Sequence, residues 1–207
     1  MLIDKFIGHF DQGLRVLFAP ARSVRAHPDA ALDEGELSSA EKRHALGLMR
    51  VNHCGEICAQ ALYQGQAMTE KNPDIKQALQ QASLEEEEHL AWTAERVAAL
   101  GGSVSLFNPI WYTGSLAMGI SVGLLGRKWN LGFLEATEKQ VCAHLDHHLE
   151  SLPVADVKSR AVVSQMRIDE AEHAQLAKDL GAANLPKWAE LSMNKTAKIM
   201  TTLSYYR

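Results

Sequence analysis

Two glutamate–histidine pairs with the same spacing are the residues of this sequence best suited to chemistry. Residues 83–92 read SLEEEEHLAW, and residues 169–173 read DEAEH. In a helix, residues three apart lie on one face, so Glu86 would lie beside His89 and Glu170 beside His173. A carboxylate next to an imidazole can bind a divalent metal ion. An acidic run by itself more often forms a solvated helix surface, so the surrounding residues must decide.

The apolar residues around each motif predict which way it faces. They recur at steps of three and four residues, and the same steps land on Glu86 and His89 in one helix and on Glu170 and His173 in the other. The pattern therefore predicts that these four side chains point into a core. It predicts a water-facing position for the other glutamates of the run, which are Glu85, Glu87 and Glu88.

Two more predicted helices each place one glutamate on an apolar seam: Glu56 in MRVNHCGEICA and Glu138 in LEATEKQVCAHL. Burying an unpaired ionised carboxylate costs several kcal/mol at least, so four of them need compensation. Two divalent cations would balance four carboxylates, and two neutral imidazoles would add nitrogen ligands. Oxygen-rich ligation of this kind suits iron or manganese. The predicted metal ligands are Glu56, Glu86, His89, Glu138, Glu170 and His173.

The elements that must position these residues are all predicted to be helices, because prolines are few and helix-forming residues abundant. One Glu from each of two helices and a Glu-x-x-His from each of the other two is the ligand pattern of a ferritin-like four-helix di-iron bundle. The fold predicted is that all-α bundle, with an apolar crossover helix and extra terminal helices. The predicted helices span about 3–17, 39–71, 74–100, 130–152, 155–180 and 186–203.

The spacing of the ligands predicts an internal repeat. Glu56 and Glu86 are 30 residues apart, and Glu138 and Glu170 are 32 residues apart. We therefore predict an N-terminal extension over 1–38 and a ferritin-like domain over 39–207. Two helical hairpins would form this domain, at about 39–100 and 130–181. A further Glu-x-x-His, Glu41 to His44, has no matching helix with a lone seam glutamate before it and is interpreted as a surface pair at a helix start.

Between the two hairpins, no charged residue occurs from Val97 to Gly126. The length would allow a membrane span, but a span would separate the two half-sites across a bilayer. We predict instead that residues 103–129 contact a membrane surface, with Trp111 and Trp129 at the water–lipid boundary. The alternative is a crossover buried against the bundle. The C-terminal stretch could belong to the same face.

The composition excludes other classes of protein. The net charge is −4, so no broad basic surface indicates nucleic-acid binding. Three cysteines without a CxxC pair argue against a disulfide framework and favour a reducing compartment. The N-terminal MLIDKFIGHFDQG carries charges and no continuous apolar stretch, so it does not resemble a secretory signal.

Four segments carry a resemblance to a known family: MRVNHCGEICAQALYQGQ (49–66), EEEEHL (85–90), LEATEKQVCAHL (134–145) and RIDEAEHAQLAKDLGA (167–182). Over roughly 40–207 the chain resembles the Coq7 family, the demethoxyubiquinone hydroxylases of ubiquinone biosynthesis, and in particular its bacterial members. The six predicted ligands match the iron ligands of that family. The resemblance further implies that His144 lies near the site and that Arg50 contacts a reductant or substrate, whereas Leu145 stands where many eukaryotic members have tyrosine.

The resemblance implies a di-iron monooxygenase with two iron ions per chain, bound peripherally to the cytoplasmic face of the inner membrane. It would hydroxylate the ring of a polyprenyl-methoxy-methyl-benzoquinol with O₂ and a reductant, as a homo-oligomer or within a biosynthetic complex. The alternative is a ferritin-like protein that oxidises or stores iron. A metal-free scaffold would leave four glutamates on apolar seams without explanation.

Overall fold

The structure is a computed structural model that describes the backbone of residues 2–207 and the side chains of residues 3, 4 and 7–207. Helices account for all the regular secondary structure of this part of the chain, which confirms the all-α prediction. The predicted helices lie within a few residues of the observed ones. The helices are α1 (Leu2–Phe18), α2 (Ser39–Thr69), α3 (Pro73–Ala99), α4 (Asn108–Leu124), α5 (Arg127–Ser151), α6 (Val157–Asp179) and α7 (Lys187–Tyr206).

The start of α2 explains the isolated Glu-x-x-His. The Glu41 backbone N–H donates to the Ser38 hydroxyl at 3.3 Å, and the Ser38 backbone N–H donates to the Glu41 carboxylate at 2.8 Å. This reciprocal capping box satisfies backbone donors that a helix start leaves unpaired. Glu41 is therefore a helix-start residue, as predicted. The prediction of a surface position is wrong for His44, which is half-buried with its ring nitrogens 2.8 Å from Tyr205 Oη and 3.1 Å from Ser151 O.

The bundle core is formed by α2, α3, α5 and α6, where α2 packs on α3, α5 on α6, and α3 on α6. Two apolar clusters lie along it, one containing Met49, Trp92 and Leu145, the other Tyr63 and Leu131. Each cluster draws residues from all four helices. The six predicted metal ligands fall between these clusters along every helix. Apolar burial above and below the ligands therefore offsets the cost of the layer in which the charged groups are concentrated.

The crossover helix α4 has one face on the bundle and one face free. Its Gly119 lies against α2 so closely that an added Cβ would be 2.4 Å from Leu62 O. On the other side, Ile110 and Leu124 keep 63% and 73% of their surface exposed. The alternative of a crossover packed against the bundle therefore holds for one face of α4, and the membrane contact of residues 103–129 stays a prediction. Among the described residues, no helix combines the length and apolar character needed to cross a membrane.

The N-terminal extension packs on the bundle. The buried guanidinium of Arg96 in α3 donates to Glu34 at 3.0 Å, to Asp156 at 3.1 Å and to Ser159 at 3.2 Å. The Gln64 amide donates to His9 O of α1 at 2.8 Å. The extension is thus fixed to both ends of the core. Its separation from the domain at residue 38, and the hairpin repeat, stay predictions.

We predict that Gly65→Ala destabilises the protein by about 1–3 kcal/mol, since an added Cβ would lie 2.6 Å from Leu116 O on the neighbouring helix. The matched control is Gly114→Ala in α4, where a Cβ would meet nothing within 4 Å. At this open helical position, replacing glycine with alanine should stabilise the folded protein by up to ~1 kcal/mol. Denaturant unfolding measures both. An equal response of the two variants would contradict a close α2–α4 contact.

Candidate metal centre

Five of the six predicted ligands converge in the middle of the bundle. Glu56, Glu86, His89 and Glu170 are buried, and each offers a ligand atom within 4.8 Å of the others. His173 Nδ1 lies 3.1 Å from Glu86 Oε1 and 3.1 Å from Glu170 Oε2. Two carboxylates are thus shared between two imidazoles. The inward direction of these four side chains is the one that the helical phase of α3 and α6 predicted.

Glu138, the sixth predicted ligand, lies beside this group and has a partner of its own. The Tyr63 hydroxyl donates to Glu138 Oε1 at 2.9 Å, and both residues are 1% exposed. The Tyr63 ring also meets His173 edge-on, with centroids 6.3 Å apart. Burial, followed by repulsion from Glu138, raises the pKa of Tyr63 well above its ordinary value, so the phenol keeps its proton.

The orientation of both histidines is fixed by carboxylates outside the cluster. His89 Nε2 lies 2.9 Å from Asp169 Oδ2, and His173 Nε2 lies 2.8 Å from Glu85 Oε2. An ionised carboxylate can only accept, so Nε2 carries the proton of each bond. The Nδ1 atom of each ring consequently points at the shared glutamates. A carboxylate that orients a histidine through its other nitrogen is typical of metal-binding histidines.

These orienting contacts are crossed between the helices. Asp169 precedes Glu170 in α6 and bonds His89 of α3, while Glu85 precedes Glu86 in α3 and bonds His173 of α6. The prediction that Glu85 is a purely water-facing residue is therefore wrong, since its side chain is only 36% exposed. The repeated acidic residue before each Glu-x-x-His was the available sequence signal.

Glu88 also departs from its predicted solvated position, because it is 6% exposed. Its carboxylate accepts hydrogen bonds from the Ser23 hydroxyl, from Val24 N at 3.0 Å and from Arg25 N at 3.3 Å. The partners belong to a segment without regular structure, which helical periodicity does not place. Of the three glutamates predicted to face water, Glu87 is the exposed one.

The concentration of acidic groups shifts their protonation. Burial raises the pKa of both Glu56 and Glu138 well above the ordinary value, and repulsion from Glu86 and Glu170 adds to it. Burial lowers the pKa of His173, but hydrogen bonds to Glu170 and Glu86 outweigh this and bring it to about 12. Both effects show that the cluster favours additional positive charge. Protons and metal cations would therefore compete for the same carboxylate and imidazole groups.

Unpaired buried atoms provide a test of whether metal ions fit. Both carboxylate oxygens of Glu86 and Nδ1 of His89 make no hydrogen bond of good geometry among the described residues, and their contacts with the facing groups are ionic, at 3.1 Å to His173 Nδ1 and 3.4 Å between Glu86 and His89. Buried polar atoms are nearly always satisfied, because desolvation without a bond costs about 1–3 kcal/mol. These atoms face one another within coordination range of a common cation. A metal cation in this donor set would therefore satisfy the atoms and offset the repulsion between the carboxylates.

The two residues assigned near the site by resemblance have other contacts. Arg50 donates to Ser103 O at 2.8 Å and to Tyr205 O at 2.9 Å, tying α2 to the α3–α4 connection and the C-terminus. The His144 ring packs on that of His148 at 3.9 Å, and burial lowers the pKa of His144 to about 4. Functional roles for both stay predictions. Leu145 is buried in the apolar cluster with Trp92.

A helical bundle with a buried carboxylate–histidine cluster defines the class as ferritin-like. Residues 43–204 match the model of the family described as ubiquinone biosynthesis protein COQ7, and the chain belongs to this family. It is 60% identical to the 3-demethoxyubiquinol 3-hydroxylase of Chromobacterium violaceum over 99% of both chains. It is also 60% identical to the enzyme of that name from Laribacter hongkongensis, over 99% of this chain and 100% of the relative. The Nitrosomonas europaea protein of the same name is 54% identical over 99% of this chain and 98% of its own.

We predict that anaerobic Fe²⁺ raises the melting temperature of this protein. A ligand at 100 times its dissociation constant stabilises by about 2.7 kcal/mol, or about 5–10 °C for a chain of this size. Glu86→Ala should abolish the shift, because Glu86 approaches both histidines. The adjacent exposed Glu87→Ala is the control and should keep it. A shift that survives in Glu86→Ala would place the metal elsewhere. Differential scanning calorimetry provides the measurement.

Proposed function

We propose that this protein is a di-iron monooxygenase that hydroxylates the ring of demethoxyubiquinol, a polyprenyl-methoxy-methyl-benzoquinol, in ubiquinone biosynthesis. The observation that carries the proposal is the buried cluster of Glu56, Glu86, His89 and Glu170. The full-length similarity of the chain to relatives named 3-demethoxyubiquinol 3-hydroxylase supports the choice of substrate. O₂ and a reductant would be the co-substrates, and two iron ions the cofactor.

The contacts suggest which residues would hold which ion. Glu86 and Glu170 each approach both imidazoles, at 3.4 and 3.3 Å for His89 and 3.1 Å each for His173, so they would be shared. Glu56, 3.8 Å from His89 Nδ1, would complete one position. Glu138 would complete the other. Bound there, iron would supply the activation of O₂, with two electrons from the reductant, that inserts one oxygen atom into the ring and releases the other as water.

The chain's own residues prepare this centre in two ways. Tyr63 engages one oxygen of Glu138 and leaves its other oxygen for the ion. An apolar wall next to Tyr63 and His173, formed by Leu79, Leu131 and neighbouring residues, lines a cavity of about 10 Å³. That volume is about the space of one water molecule, so this cavity admits little solvent. Apolar surroundings of this kind strengthen the electrostatic interactions beside them.

We propose a peripheral position on the cytoplasmic face of the inner membrane, and the exposed apolar faces of the helices support the membrane contact. Along α4 and its ends, large apolar side chains are exposed, namely Leu106, Ile110, Met118, Leu124, Leu125 and Trp129. The adjacent α1 presents an unpartnered apolar stripe at helical spacing, formed by Ile3, Ile7, Phe10, Leu14 and Phe18. Large exposed apolar patches mark interaction surfaces, and a polyprenyl substrate resides in lipid.

An iron-storage role is the second candidate. The ferritin-like fold is compatible with this role, but iron storage requires no exposed apolar face as large as that of α1 and α4. The ferritin-like alternative predicts many irons per chain in a closed shell. The hydroxylase requires a fixed stoichiometry of two irons per chain.

The complementation of a strain deleted for this gene tests the reaction. The deletion strain should accumulate demethoxyubiquinone, and wild-type protein should restore ubiquinone. Glu170→Ala should not restore it, because this shared ligand lies 3.3 Å from His89 and 3.1 Å from His173. Glu172→Ala, two residues away and exposed, is the matched control and should complement fully. Extracted quinones are separated and identified by mass. Unchanged ubiquinone in the deletion strain, or complementation by Glu170→Ala, would refute the proposal.

Membrane contact has its own test. Leu124→Glu combined with Leu125→Glu should weaken binding to phosphatidylcholine–phosphatidylglycerol vesicles at least ~10-fold, because each buried leucine is worth about 1.5–3 kcal/mol. Val154→Glu is the control, since Val154 is 85% exposed but lies in the α5–α6 connection. Flotation through a density gradient measures the bound fraction. Equal flotation of all three proteins would exclude this face as the contact.

A further inference from the structure

The two carboxylates that orient the histidines have unequal surroundings. Asp169 is held by the Arg25 guanidinium and by the Gln165 amide at 2.8 Å, and 10% of its side chain is exposed. Glu85 is 36% exposed, and beyond His173 its hydrogen-bond partner is the exposed Gln81 at 3.1 Å. Each carboxylate therefore orients one histidine, but Asp169 is held by more partners than Glu85 is.

Arg25 supplies most of this asymmetry through a two-pronged contact. Its Nη1 donates to Asp169 Oδ2 at 2.8 Å, and Nη2 donates to Oδ1 at 3.4 Å. Oδ2 is the oxygen that also accepts from His89 Nε2. The guanidinium lies 4.9 Å from the centre of the Trp92 ring, and that ring lies 5.3 Å from the His89 ring. A planar fork of this kind fixes both the position and the rotation of a carboxylate.

The segment that carries Arg25 is anchored on the same helix as His89. The Glu88 carboxylate accepts from the backbone N–H groups of Val24 and Arg25 and from the Ser23 hydroxyl. Trp92 Nε1 donates to Ser23 Oγ at 3.0 Å. Glu88 precedes His89, and Trp92 lies one turn after it. The segment, Asp169 and the histidine therefore form one continuous network.

We propose that Arg25 is a positioning residue of the metal centre, which acts through Asp169 to hold His89 Nδ1 toward the shared glutamates. It would make the metal position beside His89 and Glu56 bind more tightly than the position beside His173 and Glu138. This rests on the proposed function in taking the cluster for a two-metal centre. Residue 25 lies outside the matched range 43–204, so under this proposal a residue of the N-terminal extension contributes to the centre.

The expected size of the effect follows from known metal sites. Loss of a residue that orients a metal-binding histidine typically weakens metal affinity 10–100-fold. Arg25→Ala removes the fork and leaves Asp169 with Gln165 and His89. Arg25→Lys keeps the charge without the two-pronged geometry, so its effect should be intermediate. The other position should be unaffected, because His173 is oriented by Glu85.

The test is an anaerobic titration of the full-length protein with Co²⁺, followed by calorimetry and by visible absorption. Wild-type protein should bind two ions in steps of unequal affinity. Arg25→Ala should weaken the tighter step about 10–100-fold, with an altered absorption band for that ion, and leave the other within about twofold. Arg22→Ala, an exposed arginine in the same segment, is the matched control and should behave as wild type.

Each other outcome contradicts the inference in an identifiable way. Two equal steps in the wild type, or an unchanged tighter step in Arg25→Ala, would overturn the positioning role and leave the two-metal centre intact. An equal loss at both steps, unrelieved in Arg25→Lys, would mean that Arg25 supports the fold in general. The absence of Co²⁺ binding by the wild type would overturn the metal centre and this inference together.

Discussion

The burial of four carboxyl groups at one level of the core is the constraint on which the rest of this structure depends. Glu56, Glu86, Glu138 and Glu170 are each at most 3% exposed, so water does not screen them. The core must therefore be stabilised elsewhere, and two apolar clusters flank the acidic level on all four helices. Burial against these clusters offsets a layer that would by itself oppose folding. Metal affinity and fold stability are thus competing demands at this level of the bundle.

Helical periodicity was enough to predict that the six central residues are buried, because each lies on an apolar seam whose phase the sequence determines. It could not predict the roles of Glu85 and Glu88. Their contacts depend on how α3 is rotated against α6 and on where the irregular segment around Arg25 runs. Such partners are distant in sequence and leave no periodic trace. The same limit applies to His44, whose contact with Tyr205 is set by the docking of the last helix.

The crossover helix reconciles two demands that its sequence alone left as alternatives. Glycines at its contact with α2 allow the backbones to approach, so the helix is held firmly to the bundle. Its opposite face is then free to remain apolar without weakening the core. A bulky residue at Gly119 would force the helix outward and change the orientation of that face.

The crossed contacts of α3 and α6 have a consequence for how such a centre assembles. Neither helix orients its own histidine: Asp169 of α6 serves His89, and Glu85 of α3 serves His173. Reciprocal exchange of equivalent groups is the property of an isologous two-fold interface. The same contacts would form equally well between two identical hairpins on separate chains. Because both halves lie on one chain, a residue such as Arg25 can contact one of the two equivalent carboxylates without a counterpart at the other.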